Sequence, residues 1–191
     1  MLILASTSPF RKELLERLGL EFQTAAPEVD EAALPGETPE HLVARLAEAK
    51  AKAVQKKFSD GLIIGSDQVA VLDNRIITKP GGHDNAVQQL MHASGRKVTF
   101  LTGLCLFNAR TDRAQVQVIP YSVVFRNLQR EQVETYLHRE QPYNCAGSFK
   151  SEGLGIALFQ RMEGDDPTSL IGLPLITLID MLANEGVGVL R

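Results

Sequence analysis

The segment 62–73, LIIGSDQVAVLD, opens as an apolar strand and then sets a carboxylate and an amide side by side at Asp67 and Gln68. In doubly wound α/β proteins, ligands bind outside the carboxyl ends of the strands, so a polar pair there marks a candidate site. An acid ending such a strand must be solvated by a cleft, paired or coordinated, because an isolated buried carboxylate is costly. Three other groups of residues carry chemistry that complements it. Ser6, Thr7, Ser8, Pro9, Phe10, Arg11 and Lys12 combine hydroxyls, a helix start and two cations. That combination suits phosphate, although the same residues also describe a capped surface helix with solvated charges. Glu28, Asp30 and Glu31 supply the carboxylate oxygens that Mg²⁺ or Mn²⁺ prefers, or simply solvate a loop. Lys50 and Lys79 are surface lysines taken singly, but either can bring positive charge to the same cleft, Lys79 being held extended by Pro80. Together these groups form the set needed for metal-assisted hydrolysis of a phosphoanhydride: a place for an anion, a divalent cation and a carboxylate base.

Other chemistries are poorly served. No GxxxxGK[ST] loop is present. His41, His83, His92 and His138 lack metal-ligand spacing and read as surface or packing residues. Cys105 and Cys145 are far apart, form no CxxC and pair with no His by motif, which fits a reducing cytoplasm. A formal net charge of -3 gives no overall basic field for long nucleic acid, and a single-stranded nucleic-acid binder is disfavoured for the same reason. The start, MLILASTSP, lacks the pattern of a signal peptide, and no run reaches the roughly 18 apolar residues of a membrane span. The expectation is a soluble, cytoplasmic protein folded as a single domain over 1–191, with 44% hydrophobic residues to fill its core.

The elements that must position these residues follow from periodicity. LILAS reads as a strand, followed by a helix PFRKELLERL with Ser8 as cap, Pro9 in its first turn and Gly19 closing it. A second strand is expected around EFQTAA, and a helix over Pro39 to Lys57 capped by Thr38. GLIIGSD is a strand buried on both faces, running into a hairpin that turns at Asp73-Asn74. A helix over Asp84 to Ala93 precedes two long alternating strands, KVTFLTGLCLFN and AQVQVIPYSVVF, expected to pair antiparallel. Helices over Gln129 to Glu140 and in the tail, packed by Leu175, Leu178, Ile179 and Leu182, complete the chain. Helices mixed with hairpins and parallel-looking units predict a mixed α/β fold, its central sheet bent and flanked by helices, with two lobes around a cleft.

Six ordered blocks, LILASTSPFRKELLERLG, APEVDE, RLAEAKA, GSDQ, KP and GLP, make the whole chain resemble the Maf-like nucleoside triphosphate pyrophosphatases. The resemblance implies an α/β fold with a cleft between two lobes. It also implies divalent-metal-dependent cleavage between the α and β phosphates of a nucleotide, removing modified nucleotides from the pool. Carried over by position, Asp67 is the proton acceptor for water and shares the metal with Glu31, while Ser6, Arg11, Lys12, Lys50 and Lys79 bind phosphate. A homodimer is compatible with the family. Its association with septum formation motivates one alternative from another class, a nucleotide-sensing regulator of cell division without turnover.

Three positions depart from the commonest pattern of the family. Phe10 stands where S-P-R-R has an arginine, Gln68 where G-A-D-T has a threonine, and Glu152 where I-Q-G has a glutamine. These resemble the subfamily acting on 7-methyl-GTP, and they argue against dTTP or UTP. Methylation at N7 makes guanine cationic, and a cation on an aromatic face gains roughly 0.5–2 kcal/mol. Phe10 can supply that face, and Glu152 a carboxylate for the N1 and N2 donors of guanine. Against this stands the plain reading of Phe10 as packing and Glu152 as a solvated acid.

Overall fold

The computed structural model describes residues 1–190. Seven strands form one sheet: β1 (Leu2–Ala5), β2 (Phe22–Ala25), β3 (Leu62–Leu72), β4 (Arg75–Ile77), β5 (Lys97–Asn108), β6 (Arg113–Phe125) and β7 (Phe159–Glu163). The order is β2-β1-β3-β5-β6-β7, with β4 paired to β3. Strand β1 is parallel to both neighbours, Ile3 lying opposite Gln23 and Ile63, whereas β3–β4 and β6–β7 are antiparallel. The helices are α1 (Pro9–Glu16), α2 (Pro39–Ala53), α3 (His83–Ala93), α4 (Arg130–Glu140), α5 (Pro167–Ile171) and α6 (Leu175–Asn184). The mixed α/β expectation holds, and no helix among the described residues is long and apolar enough to cross a membrane.

The chain divides into two compact units. Of the described residues, the first comprises 1–68, 101–119 and 166–190, and the second 69–100 and 120–165. In the first unit the two-residue alternation of β1 sorts its side chains into two layers. Leu2 and Leu4 face Leu14, Leu15, Leu178, Met181 and Leu182 of α1 and α6, while Ile3 and Ala5 face Ala47 and Ala51 of α2. The second unit is centred on Phe100, Phe125, Phe149 and Phe159, whose rings meet edge to face at 4.8–5.6 Å.

Several element boundaries differ from expectation for identifiable reasons. The tail is two helices, because Gly172 adopts φ 119° and Pro174 follows. Ile179 is 37% exposed and Met181 takes the core position instead. Helix α2 ends at Ala53, with a 3-10 turn over Gln55–Lys57. Strand β7 had no sequence expectation; FQRME carries only two large apolar side chains and pairs on one edge of β6. The hairpin turn falls where expected, with Asp73 and Asn74 at φ 51° and 60°, the left-handed pair of a type I′ turn.

Candidate active site

Two glycines decide where α2 lies. A Cβ on Gly65 would stand 2.1 Å from the carbonyl oxygen of Ala47, and one on Gly103 equally close to that of Val43. The bare backbone of β3 and β5 therefore lets α2 settle directly on the sheet. That seating carries Lys50, buried near the end of α2, to the end of the parallel pairing of β3. There its ammonium donates to Asp67 Oδ1 at 2.7 Å and pairs with Glu31 at 2.6 Å. Asp67 is 8% exposed. Among the described residues Oδ2 has no hydrogen-bond partner and no unpartnered side-chain oxygen is sealed from solvent, so Oδ2 faces water.

The acidic loop that presents Glu31 has its own scaffold. Arg45 on α2 grips Glu37 through Nε at 2.6 Å and Nη2 at 2.8 Å, and reaches the Ala32 carbonyl at 3.0 Å. Hydrogen bonds from Arg45, then from the Leu34 amide, hold the Glu37 carboxyl down at about 2. Asp30 accepts from the Ala32 amide at 2.9 Å, a turn-forming contact. Ser8 caps α1 by accepting from the Arg11 amide, and Ser6, buried at the end of β1, accepts from the Ser8 amide at 3.1 Å. Arg11 Nε donates to the Gly172 carbonyl at 2.8 Å, which also accepts from Ser66 Oγ at 2.9 Å. Burial pushes the Arg11 pKa down, while the charges of Asp67 and Glu31 pull it back up. Its Nη groups have no acceptor among the described residues, leaving two donor faces of a fixed guanidinium for an anion.

The first unit thus brings Asp67, Lys50 and Glu31 into one ion-paired cluster whose two carboxylates act on Arg11. Lys12 points to solvent beside Glu16 at 3.7 Å. Phe10, on the first turn of α1, is 37% exposed. Gln68 spends its amide nitrogen on Thr102 Oγ1 and on the Ser169 and Leu170 carbonyls at 2.7–3.2 Å, leaving Oε1 as the group it can offer. Lys79 and Glu152 belong to the second unit. Lys79 is exposed between β4 and α3, and Glu152 is an exposed turn residue accepting from Ser151 Oγ at 3.3 Å. A concavity of about 520 Å³ in that unit, walled by Leu72, Arg75, Ile77, Gln89 and His92, contains none of the expected site residues. Converging charged groups are the better guide to chemistry than open volume.

Sequence reasoning missed the residues that hold this site in place. Asp166, 2% exposed, accepts from Thr168 and from the Ile176 amide at 2.8 Å, so it caps α5 and fixes the turn that carries Gly172. The Asp-Pro pair at 166–167 is a cap signature that could have found it. Arg45 and Glu37 had no such signal, being eight residues apart with the cap and first turns of α2 between them.

The oxygen donors of Glu31 and Asp67 fit a hard divalent cation, for both already converge on one positive charge, the Lys50 ammonium. Comparison with known proteins agrees with the geometry. The Maf-like protein family model matches residues 1–185. A 7-methyl-GTP pyrophosphatase of Methylobacillus flagellatus is 57% identical over 189 residues, 99% of this chain and 98% of that protein. One from Nitrosococcus oceani is also 57% identical, covering 99% of this chain and 95% of its own. One from Pseudomonas aeruginosa is 54% identical over 97% of each. An ordered set of blocks, a mixed sheet and a family model spanning nearly every residue lead to one assignment: the chain belongs to the Maf-like protein family.

Proposed function

We propose that this protein is a cytoplasmic nucleoside triphosphate pyrophosphatase that hydrolyses 7-methyl-GTP to 7-methyl-GMP and pyrophosphate. The observation that carries the reading is the cluster of Asp67, Lys50 and Glu31, with Asp67 inside β3 just beyond its parallel pairing to β1, in the electrostatic reach of Arg11. The relatives named as 7-methyl-GTP pyrophosphatases, 54–57% identical along nearly the whole chain, support it.

In this reading Asp67 Oδ2 takes the proton from the attacking water, while the Lys50 ammonium on Oδ1 fixes the carboxylate in orientation. Arg11, anchored on the Gly172 carbonyl, turns its Nη groups to the phosphates, and the Ser6 hydroxyl and Lys12 add donors at the α1 start. Lys79 contributes further positive charge, and Phe10, Gln68 and Glu152 select the base. Glu31 and Asp67 would hold Mg²⁺ or Mn²⁺, which when bound supplies positive charge against the polyphosphate. The working form can be a homodimer, which sedimentation would establish.

A nucleotide panel incubated with Mg²⁺ or Mn²⁺, with products identified by chromatography, tests the assignment. Pyrophosphate and 7-methyl-GMP are expected. Orthophosphate as the leaving product would overturn the reaction, and saturable binding without turnover would favour a sensor.

A further inference from the structure

In the second unit, Glu134 and His138 stand four residues apart on α4 and so share one face of the helix. Helix α3 packs on α4 and begins with His83. The amide of Gly81 donates to the Tyr143 carbonyl at 3.0 Å, which ties the approach to His83 to the segment carrying Tyr143. His83 Nε2 lies 2.6 Å from Glu134 Oε2, and its Nδ1 lies 3.0 Å from the Tyr143 hydroxyl. One ligand atom from each of His83, Glu134 and His138 falls within 4.8 Å of the others. His83 and Glu134 side chains are each 31% exposed, and His138 is exposed. Two of the histidines read from spacing as surface or packing residues are thus gathered by tertiary structure into a donor cluster.

The hydrogen bonds around His83 set its chemistry. The Tyr143 hydroxyl lies 3.0 Å from Nδ1 and 3.5 Å from the Leu137 carbonyl, so it can accept from Nδ1–H while donating to Leu137. In that tautomer Nε2 directs its lone pair at the carboxylate. That arrangement of two electron-rich atoms 2.6 Å apart is one a cation would complete. A proton suffices for a His–Glu pair, but a proton has no use for the third donor, His138, stacked on His83 with ring centroids 5.0 Å apart. Arg130, the other cation near, lies 3.6 Å from the opposite oxygen, Oε1, and leaves the Nε2 side clear.

We propose that His83, Glu134 and His138 form a binding site for a borderline divalent transition-metal ion, Zn²⁺ above all, with Tyr143 orienting His83 from behind. Two imidazoles and a carboxylate are the donor set that suits zinc and leaves a fourth position to water. The hydroxyl on Nδ1 is the outer partner that a ligating histidine commonly has. Ligand bonds of about 2.0–2.2 Å require the close Nε2–Oε2 contact to open and His138 to turn out of its stack, a small motion for an exposed side chain. The site is distinct in donor chemistry from the all-oxygen pair Glu31 and Asp67, which favours Mg²⁺ or Mn²⁺. Its effect is to clip the start of α3 to α4.

The test is a Zn²⁺ titration of chelator-stripped protein against a chromophoric competitor in excess Mg²⁺, with the Co²⁺ absorption spectrum as a second readout. One tight equivalent is expected in the wild type and in Asp67→Asn. His138→Ala should weaken it at least tenfold, and Tyr143→Phe by roughly 10–100-fold. Zinc at a hundredfold excess over its Kd should raise the wild-type Tm by roughly 5–10 °C, an increase absent in His138→Ala. Because His138 is exposed, its replacement leaves the fold intact, as circular dichroism would confirm. Unchanged zinc affinity in His138→Ala, or loss of the tight equivalent in Asp67→Asn instead, would overturn the proposal.

Discussion

Each of the two units holds a carboxylate about 2.6–2.7 Å from a basic nitrogen, and the two contacts lead to different chemistry. In the first unit the nitrogen is the Lys50 ammonium, a cation bound covalently to α2, set between two carboxylates and held there by the glycine seats beneath the helix. In the second it is the imidazole of His83, whose proton exchanges and whose lone pair can accept a metal. A fixed cation makes a permanent electrostatic frame for an anionic substrate. An exchangeable one makes a place that a free ion can enter. Distance alone does not distinguish these roles; the identity of the donor and what stands behind it do.

The largest effect expected from breaking the first arrangement is kinetic. Asp67→Asn keeps the size of the side chain but removes its basicity, so turnover should fall by a factor of about 100 to 10,000 with the melting curve close to wild type. Wild-type turnover in that variant would remove Asp67 from the role of base. Gly65→Ala acts on the frame instead. Its new methyl would meet backbone, 2.1 Å from the Ala47 oxygen and 2.8 Å from the Ala51 nitrogen, neither of which can swing aside. A loss of about 1–3 kcal/mol in urea unfolding is expected, with reduced activity because α2 carries Lys50 away from Asp67. An unchanged unfolding midpoint would show that the seat is not tight.

The legibility of these features followed their range in the chain. Asp67, Ser6 and the α1 cap were visible because a polar break in an apolar run and an S-x-S-P start are local patterns, although β3 runs on through Asp67 to Leu72 instead of ending there. Lys50 was legible as a charge, but its burial depends on Gly65 and Gly103, whose meaning appears only when α2 lies against the sheet. Apolar periodicity predicts a single helix for the tail and outweighs Gly172 and Pro174, the residues that break it. Glu134 and His138 stand four apart, yet the cluster requires His83, 51 residues before Glu134, and no local spacing announces such a meeting. The family pattern marks Gln68 as one of the base-selecting residues; its amide nitrogen also ties β3 to the carbonyls of α5, a structural commitment invisible in sequence.

A subtler effect concerns selectivity. Phe10 is half-exposed at the first turn of α1 rather than packed in the core, and Glu152 is exposed. If Phe10 and Glu152 select the base as proposed, replacing Phe10 by Arg and Glu152 by Gln removes an aromatic face and a negative charge that would favour a cationic base. The ratio of kcat/KM between 7-methyl-GTP and UTP should fall by roughly 2- to 30-fold, the kinetic equivalent of a cation–π contact. An unchanged ratio would return both residues to packing and solvation.

The smallest expected effect separates the two units by acidity. Glu37 in the first unit and Glu163 in the second are both held below the usual carboxylate range, Glu37 first by its hydrogen bond from Arg45 and Glu163 first by that from Lys97. A carboxyl whose pKa is lower folded than unfolded contributes stability above its unfolded value. For Glu37 that contribution is complete above about 4.5 and disappears as the pH falls toward about 2. The urea midpoints of Glu37→Gln and wild type should therefore differ at neutral pH and converge across that window. Glu163→Gln should show the same sign of convergence. The two variants part in function, since Glu37 supports the loop that carries Glu31 whereas Glu163 ties Lys97 and Arg161 on the strands of the second unit. Glu37→Gln should raise the Mg²⁺ concentration needed for half-maximal hydrolysis, and Glu163→Gln should leave it unchanged. Equal metal requirements in both variants would mean that the Arg45 clamp stabilises the loop without positioning Glu31.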